Sequence, residues 1–492
     1  MKANIYWFKK DLRLFDNEAL NIACKSDLPL ILIYVYEPEM WAQDDASFRH
    51  LIFLNQCLQD LQKSCQEKQI FLNIFHGKID DILSSLNNKF EIKNLYSHQE
   101  TGNFWSFQRD LKVKKFCQQN LILWHEVSQN GVIRNLKDRD AWSAKWQIKM
   151  SQEILQYPKK INSLKVSNNN LITPEILNLK YDGIENAQIG GRKNALDILN
   201  DFINLRGENY TKEMSSPVTA FESCSRISPY LTFGSLSIKE VFQIASKRKQ
   251  EIKSMSKSEK GGWPSALNSF LGRLRWHCHF IQKLEDEPRI EFENLHPNYD
   301  ILDRNINERF FQSWKEGKTG FPMIDSSMRA LIKNGWINFR MRAMLVSFAS
   351  NHLWLDWRVT SKYLAKLFID YEPGIHYSQI QMQSGTTGIN AIRIYNPTKQ
   401  ALDQDPNGIF IRKYIPELKN ISDKNIANPS QEPLLMANYP MPIIDEKKQH
   451  KIAADKLYKI RKNQNYKNES IKILKKHGSR KSRVNKGLKI NS

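Results

Sequence analysis

The first 130 residues alternate short apolar runs with longer amphipathic ones. Runs rich in β-branched and aromatic residues cover Asn4 to Phe8, Pro29 to Tyr36, Ile70 to Phe75, Ile92 to Ser97 and Leu121 to Val127, each bounded by polar or turn-forming residues. These runs predict strands. Between two of them, Ser47 to Lys68 places Leu51, Leu54, Leu58 and Leu61 at helical spacing. Strand, helix and strand in succession predict a parallel sheet wrapped by helices, an α/β domain of Rossmann-like type over residues 1–130.

From Gly131 to Gly191 the pattern loosens into Asn-, Lys- and Pro-containing stretches such as Ser167 to Pro174, which predicts an interdomain connector over 131–191. Helical spacing then dominates. Asn194 to Leu205 carries Leu196, Leu199 and Phe202, and Ser265 to Leu284 carries Leu267, Phe270, Leu271, Leu274 and Phe280. A large all-α domain over 192–435 follows, and prolines and then lysines predict an exposed, partly helical basic tail over 436–492.

The length of 492 residues exceeds what one hydrophobic core serves, which agrees with two domains. No apolar run reaches 18 residues, so no membrane span is expected. The start, MKANIYWFKKDLRL, becomes charged too early for a signal peptide, and a cytoplasmic protein is expected. Six scattered cysteines show no metal-ligand spacing, so reduced thiols and no metal are expected. Charge changes the picture more. The net is +21, and from Asp445 onward 16 Lys and Arg stand against 4 Asp and Glu. That excess suits a polyanion, because neutralised phosphates release counterions; a solvated extension is the plainer reading of the tail. Glycine-rich phosphate loops of the dehydrogenase or P-loop kind are missing, which disfavours those enzymes.

Five blocks carry more specific information. They are WFKKDLRLFDNEAL at Trp7 to Leu20, SCSRISPYLTFGSLS at Ser223 to Ser237, GKTGFPMIDSSMRAL at Gly317 to Leu331, NGWINFRMR with LWLDWR downstream over Asn334 to Arg358, and SGTTGINAIRIYNPTKQALDQDPNGIFIRKYIPEL at Ser384 to Leu418. In this order they resemble the DNA photolyase and cryptochrome family. The resemblance implies an α/β domain that often holds an antenna pigment, folate or deazaflavin, and a helical domain that holds FAD in a folded shape. A flavin site needs hydroxyls and amides for the diphosphate, an acid for ring or ribose groups and a cation near the ring, and the second and fourth blocks with the acids downstream offer these.

Carried over by position, the resemblance puts Cys224, Ser225, Arg226, Ile227 and Ser228 on the diphosphate with Tyr210 upstream. N-capping of a helix is the plainer reading of the two serines. It places Arg342, Asp370, Tyr371 and Glu372 around the isoalloxazine ring. His376 falls at the flavin N5 position, where repair enzymes carry Asn, so its titration is expected to act near neutral pH; a satisfied core histidine is the alternative. Of the three tryptophans that commonly feed electrons to the flavin only Trp357 is matched, Ile380 and Arg304 standing at the other two positions. Arg273, Trp276, His277, Phe339, Arg340 and Gln400 fall at DNA-facing positions, with a solvated surface charge the bland reading of each lone cation.

The function implied is blue-light-dependent repair of cyclobutane pyrimidine dimers by electron transfer from excited reduced FAD. Ala343 and Ile389 stand where enzymes acting on the (6-4) photoproduct have histidines, which favours the cyclobutane substrate. The alternative is a cryptochrome-type photoreceptor without repair. UV-damaged DNA is the expected partner, with no membrane, and a monomer is expected.

Overall fold

The computed structural model describes residues 1–492 apart from 159, 168–169, 464 and 480–492. Five parallel strands, β1 (Lys2–Phe8), β2 (Leu30–Tyr36), β3 (Leu72–His76), β4 (Glu91–His98) and β5 (Leu123–Val127), lie in the order β3-β2-β1-β4-β5. All seven residues of β2 are buried, as both-sided burial of a central parallel strand requires. Helices α1 (Glu18–Ala23), α2 (Phe48–Gln66), α3 (Ile79–Lys89) and α4 (Phe104–Gln119) flank the sheet. Leu51, Leu54, Leu58 and Leu61 of α2 are buried, which realises the spacing read from the sequence.

The segment expected to be a loose connector is built into the structure. Helix α5 (Trp142–Met150) buries Trp142, Trp146 and Met150, and Trp142 Nε1 donates to Gly131 O at 3.0 Å. Leu30 N donates to Asn162 O at 2.8 Å and Leu164 N to Leu30 O at 3.0 Å, so the same segment also pairs with the first residue of β2. Its irregular backbone is satisfied by long-range partners that hydrophobic periodicity does not record.

The remainder is helical. Helix α6 (Arg192–Asp201) leads to α7 (Ser228–Thr232), α8 (Ile238–Ser254) and the 24-residue α9 (Trp263–Asp286). Then follow α10 (Pro322–Asn334), α11 (Phe339–Ser347), α12 (Trp357–Leu367), α13 (Pro373–Ser384) and α14 (Pro397–Gln404). One apolar core runs from Tyr6 and Phe53 in the sheet domain to Tyr230, Leu274 and Cys278 in the helical domain. The first and second sequence blocks meet there: Arg13 Nη1 donates to Gly234 O at 2.9 Å and Leu12 N to Phe233 O at 3.2 Å. Gly234 has φ of 72°, and a Cβ on it would stand 2.1 Å from Lys10 O, so only glycine allows this approach.

The basic tail differs from expectation in being packed and not exposed. Helices α15 (Glu446–Arg461) and α16 (Tyr466–His477) fold back on the helical domain, burying Leu457, Ile460, Tyr466 and Ile473. Their lysines take the solvent side; the basic stretch from 480 lies outside the described residues. No helix among the described residues is long and apolar enough to cross a membrane.

Candidate functional site: an arginine-rich cluster in the helical domain

The loop before α7 turns back at Arg226, which has φ of 57°, a left-handed conformation costly for a residue with a Cβ. Arg206 holds that loop, its guanidinium donating to Glu222 O at 2.7 Å, to Ser225 O at 3.0 Å and to Cys224 O. Sequence reasoning missed Arg206 because its partners are carbonyls, which leave no side-chain signature. Arg206 itself is balanced by Asp201 at 2.5 Å. Ser228 opens α7, yet its hydroxyl does not cap the helix; it donates to Asp370 Oδ2 at 2.6 Å. Arg342 donates Nη1 to Asp370 Oδ1 and Nη2 to Asp370 Oδ2, both at 3.0 Å, and its Nε to Ile337 O at 2.8 Å. Three segments expected to share a site are thus joined side chain to side chain.

Positive charge exceeds negative around this ladder. The Cys224 thiol, pushed up to about 12 by burial, lies in the field of Arg206, Arg226, Arg273 and Arg342. Arg226 is pushed down to about 10 by burial and then by Arg206, and its buried Nε has no hydrogen-bond partner. Its guanidinium rests on Phe221 at 3.7 Å and Trp336 at 5.3 Å from the ring centroids. Tyr210, pushed up to about 12 by burial, shares a side-chain hydrogen bond with Arg273. Arg206 and Arg342 have their acids, but Arg226 is largely buried with no acid paired to it and calls for an anion. A dinucleotide's diphosphate has that charge, so the residues present fit FAD.

Other expected residues lie elsewhere. Glu372 does not join the Arg342 ladder; it turns to the sheet domain, where Lys10 Nζ stands 3.5 Å away, and burial raises its carboxyl. Tyr371 donates to Asp45 Oδ2 at 2.7 Å. His376 is buried, with Nε2 3.0 Å from Ser361 O. Burial pushes it down to about 4, which corrects the expectation of titration near neutrality. Because a carbonyl only accepts, Nε2 carries the proton and Nδ1 is the free acceptor.

Arg273 stands over Phe339, 5.9 Å from the ring centroid, and Arg340 Nη1 donates to Gln400 Oε1 at 3.2 Å, so these four gather beside the site. Trp276 is half-buried and stacks on Phe280 at 5.5 Å. His277 departs from its expected DNA-facing role. It points into a crevice between the domains, burial pushes it down to about 4, and its Nδ1 has no partner. That crevice, with about 630 Å3 of space counted to the open solvent, lies at the carboxyl ends of β1, β4 and β5 where the strand order reverses. Lys10, Glu100, Gln129, His277 and Glu372 line it. A second crevice, at the carboxyl end of β2, is lined by Glu37, Trp105 and Arg109. Arg109 pairs there with Glu37 at 3.2 Å, Glu100 at 2.7 Å and Asp110 at 2.8 Å.

Trp357 is fully buried and donates Nε1 to Asn294 Oδ1 at 2.8 Å. Ile380 is buried, and Arg304 is buried too, donating to Asn351 Oδ1 at 3.1 Å and Ser384 O at 3.0 Å, 4.9 Å from the Trp354 ring. No group of His, Cys, Asp and Glu suited to a metal occurs among the described residues.

A parallel-sheet domain sharing its core with a helical bundle, and an arginine-rich cluster in that bundle, define a two-domain protein with a site suited to an anionic group. Residues 4–140 match the family described as DNA photolyase, and residues 270–459 match the FAD binding domain of DNA photolyase. The chain belongs to the DNA photolyase and cryptochrome family and carries its FAD-binding domain. It is 27% identical over 475 residues to a deoxyribodipyrimidine photo-lyase of Escherichia coli, covering 91% of this chain and 96% of that one. Its fold is similar to a bacterial class III photolyase from Agrobacterium tumefaciens, with a TM-score of 0.80 and 23% identity over 94% of this chain and 98% of that chain. A Synechocystis cryptochrome is similar with a TM-score of 0.81 and 21% identity, covering 92% of this chain and 99% of that chain.

Proposed function

We propose that the protein is a deoxyribodipyrimidine photo-lyase that reverses cyclobutane pyrimidine dimers in UV-damaged DNA under blue light. The observation that carries this reading is the Ser228, Asp370 and Arg342 ladder beside the arginine-rich loop, next to the exposed Arg273. Bound FAD, when reduced and excited, supplies the electron that opens the dimer ring.

The chain's own residues have defined tasks. Arg226 would neutralise the diphosphate, and Ser225 and Tyr210 would orient it through their hydroxyls. Arg342 would set a guanidinium beside the ring, and Asp370 holds that guanidinium in one orientation. His376 stays neutral and presents Nδ1 as an acceptor, so it holds its proton toward Ser361 and not toward the ring. Trp357 is the buried aromatic placed to relay electrons. Arg273, Phe339, Arg340, Gln400 and Trp276 form the face that receives DNA, where a damaged pair is the cheapest to extrude. The interdomain crevice lined by Lys10, Glu100 and Gln129 is the proposed seat of an antenna, folate or deazaflavin. The protein acts as a cytoplasmic monomer.

The photoreceptor reading is favoured by one observation, the replacement of two relay positions by Ile380 and Arg304. The deciding measurement combines flavin absorbance of the purified protein with light-dependent loss of dimers from irradiated DNA. Flavin with dimer loss is the expected result. Flavin without dimer loss would establish the photoreceptor, and a flavin-free protein after soaking with FAD would end both readings.

A further inference from the structure

A second cationic feature lies on α9, away from the arginine-rich cluster. Helices α5, α8 and α9 bound an open groove with about 840 Å3 of space counted to the solvent. Its floor is Trp146, Phe242 and Leu271, and its walls carry Lys249, Lys253 and Arg275 with the amides of Gln250 and Asn268. No carboxylate lines it. The nearest acid on α8 in sequence, Glu251, is drawn to Arg248 at 3.2 Å on another face. None of the three groove cations makes an ion pair among the described residues.

Gly272 gives an independent sign that the space serves something. It sits inside α9, and a Cβ there would meet nothing within 4 Å. Packing therefore does not demand glycine, and a helix interior disfavours it relative to alanine. The missing side chain leaves the α9 backbone accessible from the groove at that point. Asn268, Gly272, Arg275 and Trp276 recur at helical spacing on one side of α9, so the groove leads directly to Trp276 and the face around Arg273.

We propose that this groove holds the sugar-phosphate backbone of the DNA arm that flanks the damaged base. The inference rests on the photo-lyase reading and adds a binding surface to it. A row of unpaired cations and amide donors above an apolar floor suits phosphates and sugars, and it carries no base-reading geometry. Its contribution is sequence-independent and salt-dependent.

The test measures binding of the full chain to a labelled duplex with one dimer, and to the same duplex undamaged, over a series of salt concentrations. Lys249→Ala and Lys253→Ala should each reduce the slope of log K against log salt by about 1, and weaken both duplexes by about 3- to 10-fold at low salt. Light-driven turnover of DNA already bound should be unchanged. Gly272→Ala should raise Tm and yet weaken binding, a pairing that a purely structural glycine does not produce. A salt slope untouched in the double lysine variant, with wild-type binding intact, overturns this inference alone. A wild-type protein that binds neither duplex overturns the photo-lyase reading with it.

Discussion

Ser228 donates to Asp370 across 142 positions of sequence, in a hydrogen bond of 2.6 Å, and the same carboxylate takes two bonds from Arg342 at 3.0 Å. One acid therefore ties the Cys224 to Ser228 loop to α11. Asp370→Ala leaves the Arg342 guanidinium uncompensated and the Ser228 hydroxyl without its partner, which costs about 2 to 4 kcal/mol. Urea unfolding should record that loss, and the variant should come off a sizing column without flavin while Asp303→Ala, at an exposed acid, keeps it.

Acid should weaken the fold through its buried histidines. Burial pushes His277, His352 and His376 from an ordinary 6.5 down to about 4. Between those values the unfolded chain holds protons at these three positions that the folded one refuses, so their contribution to stability rises with pH from 4 to 6.5 and is level above, while Glu37 and Glu291, pushed up to about 7 by burial, contribute with the opposite sign. Each fully linked shift amounts to about 3 kcal/mol. Unfolding free energy measured at pH 7.5 and pH 5 for the wild type and His277→Gln isolates one of these shares: the wild type should lose more, or gain less, toward acid than the variant. An identical pH dependence in the two proteins would refute the burial argument.

The strands were legible because a both-sided parallel sheet writes continuous apolar runs, and their ends move by no more than two residues between pattern and structure, as Ile70 to Phe75 against Leu72–His76 illustrates. Ser228, Arg342 and Asp370 were legible through their blocks. Arg206 and Lys10 were not assigned to the site, since one binds carbonyls and the other meets Glu372 only after two domains close. The helical tail was misjudged for a different reason: its lysines outnumber the few apolar residues, Leu457, Ile460 and Ile473, that decide its packing.

That packing makes the tail a structural part. Tyr466 stacks on His296 at 4.3 Å, His477 meets Glu287, and Lys456 stands 4.4 Å over the Trp354 ring. Ending the chain after Ile444 uncovers Tyr299 and the apolar residues around it. Each buried large apolar side chain contributes about 1.5 to 3 kcal/mol. The truncated protein should lose about 5 °C or more in Tm by calorimetry. An unchanged Tm would return the segment to the status of a solvated extension.

Arg49 offers the sharpest test of how the two domains hold the site. Its side chain is fully buried between them, with Nε 2.8 Å from Asp182 Oδ2, Nη1 donating to Leu331 O at 3.1 Å and Leu367 O at 2.8 Å, and Nη2 to Ile332 O at 3.0 Å. The carbonyls of Leu331 and Ile332 belong to the last turn of α10, and Leu367 O to the end of α12, three residues before Asp370. A planar fork with five donors meets this arrangement, and an ammonium on a flexible stem does not. Arg49→Lys should therefore fail to rescue Arg49→Ala, both losing about 3 kcal/mol or more in urea unfolding because a buried acid and several carbonyls are left unmatched. Release of the end of α12 should also loosen Asp370, so both variants should bind FAD more weakly at temperatures where they remain folded. Should Arg49→Lys match the wild type in both measurements, Arg49 would be a point charge for Asp182 and not a clamp on the helix ends.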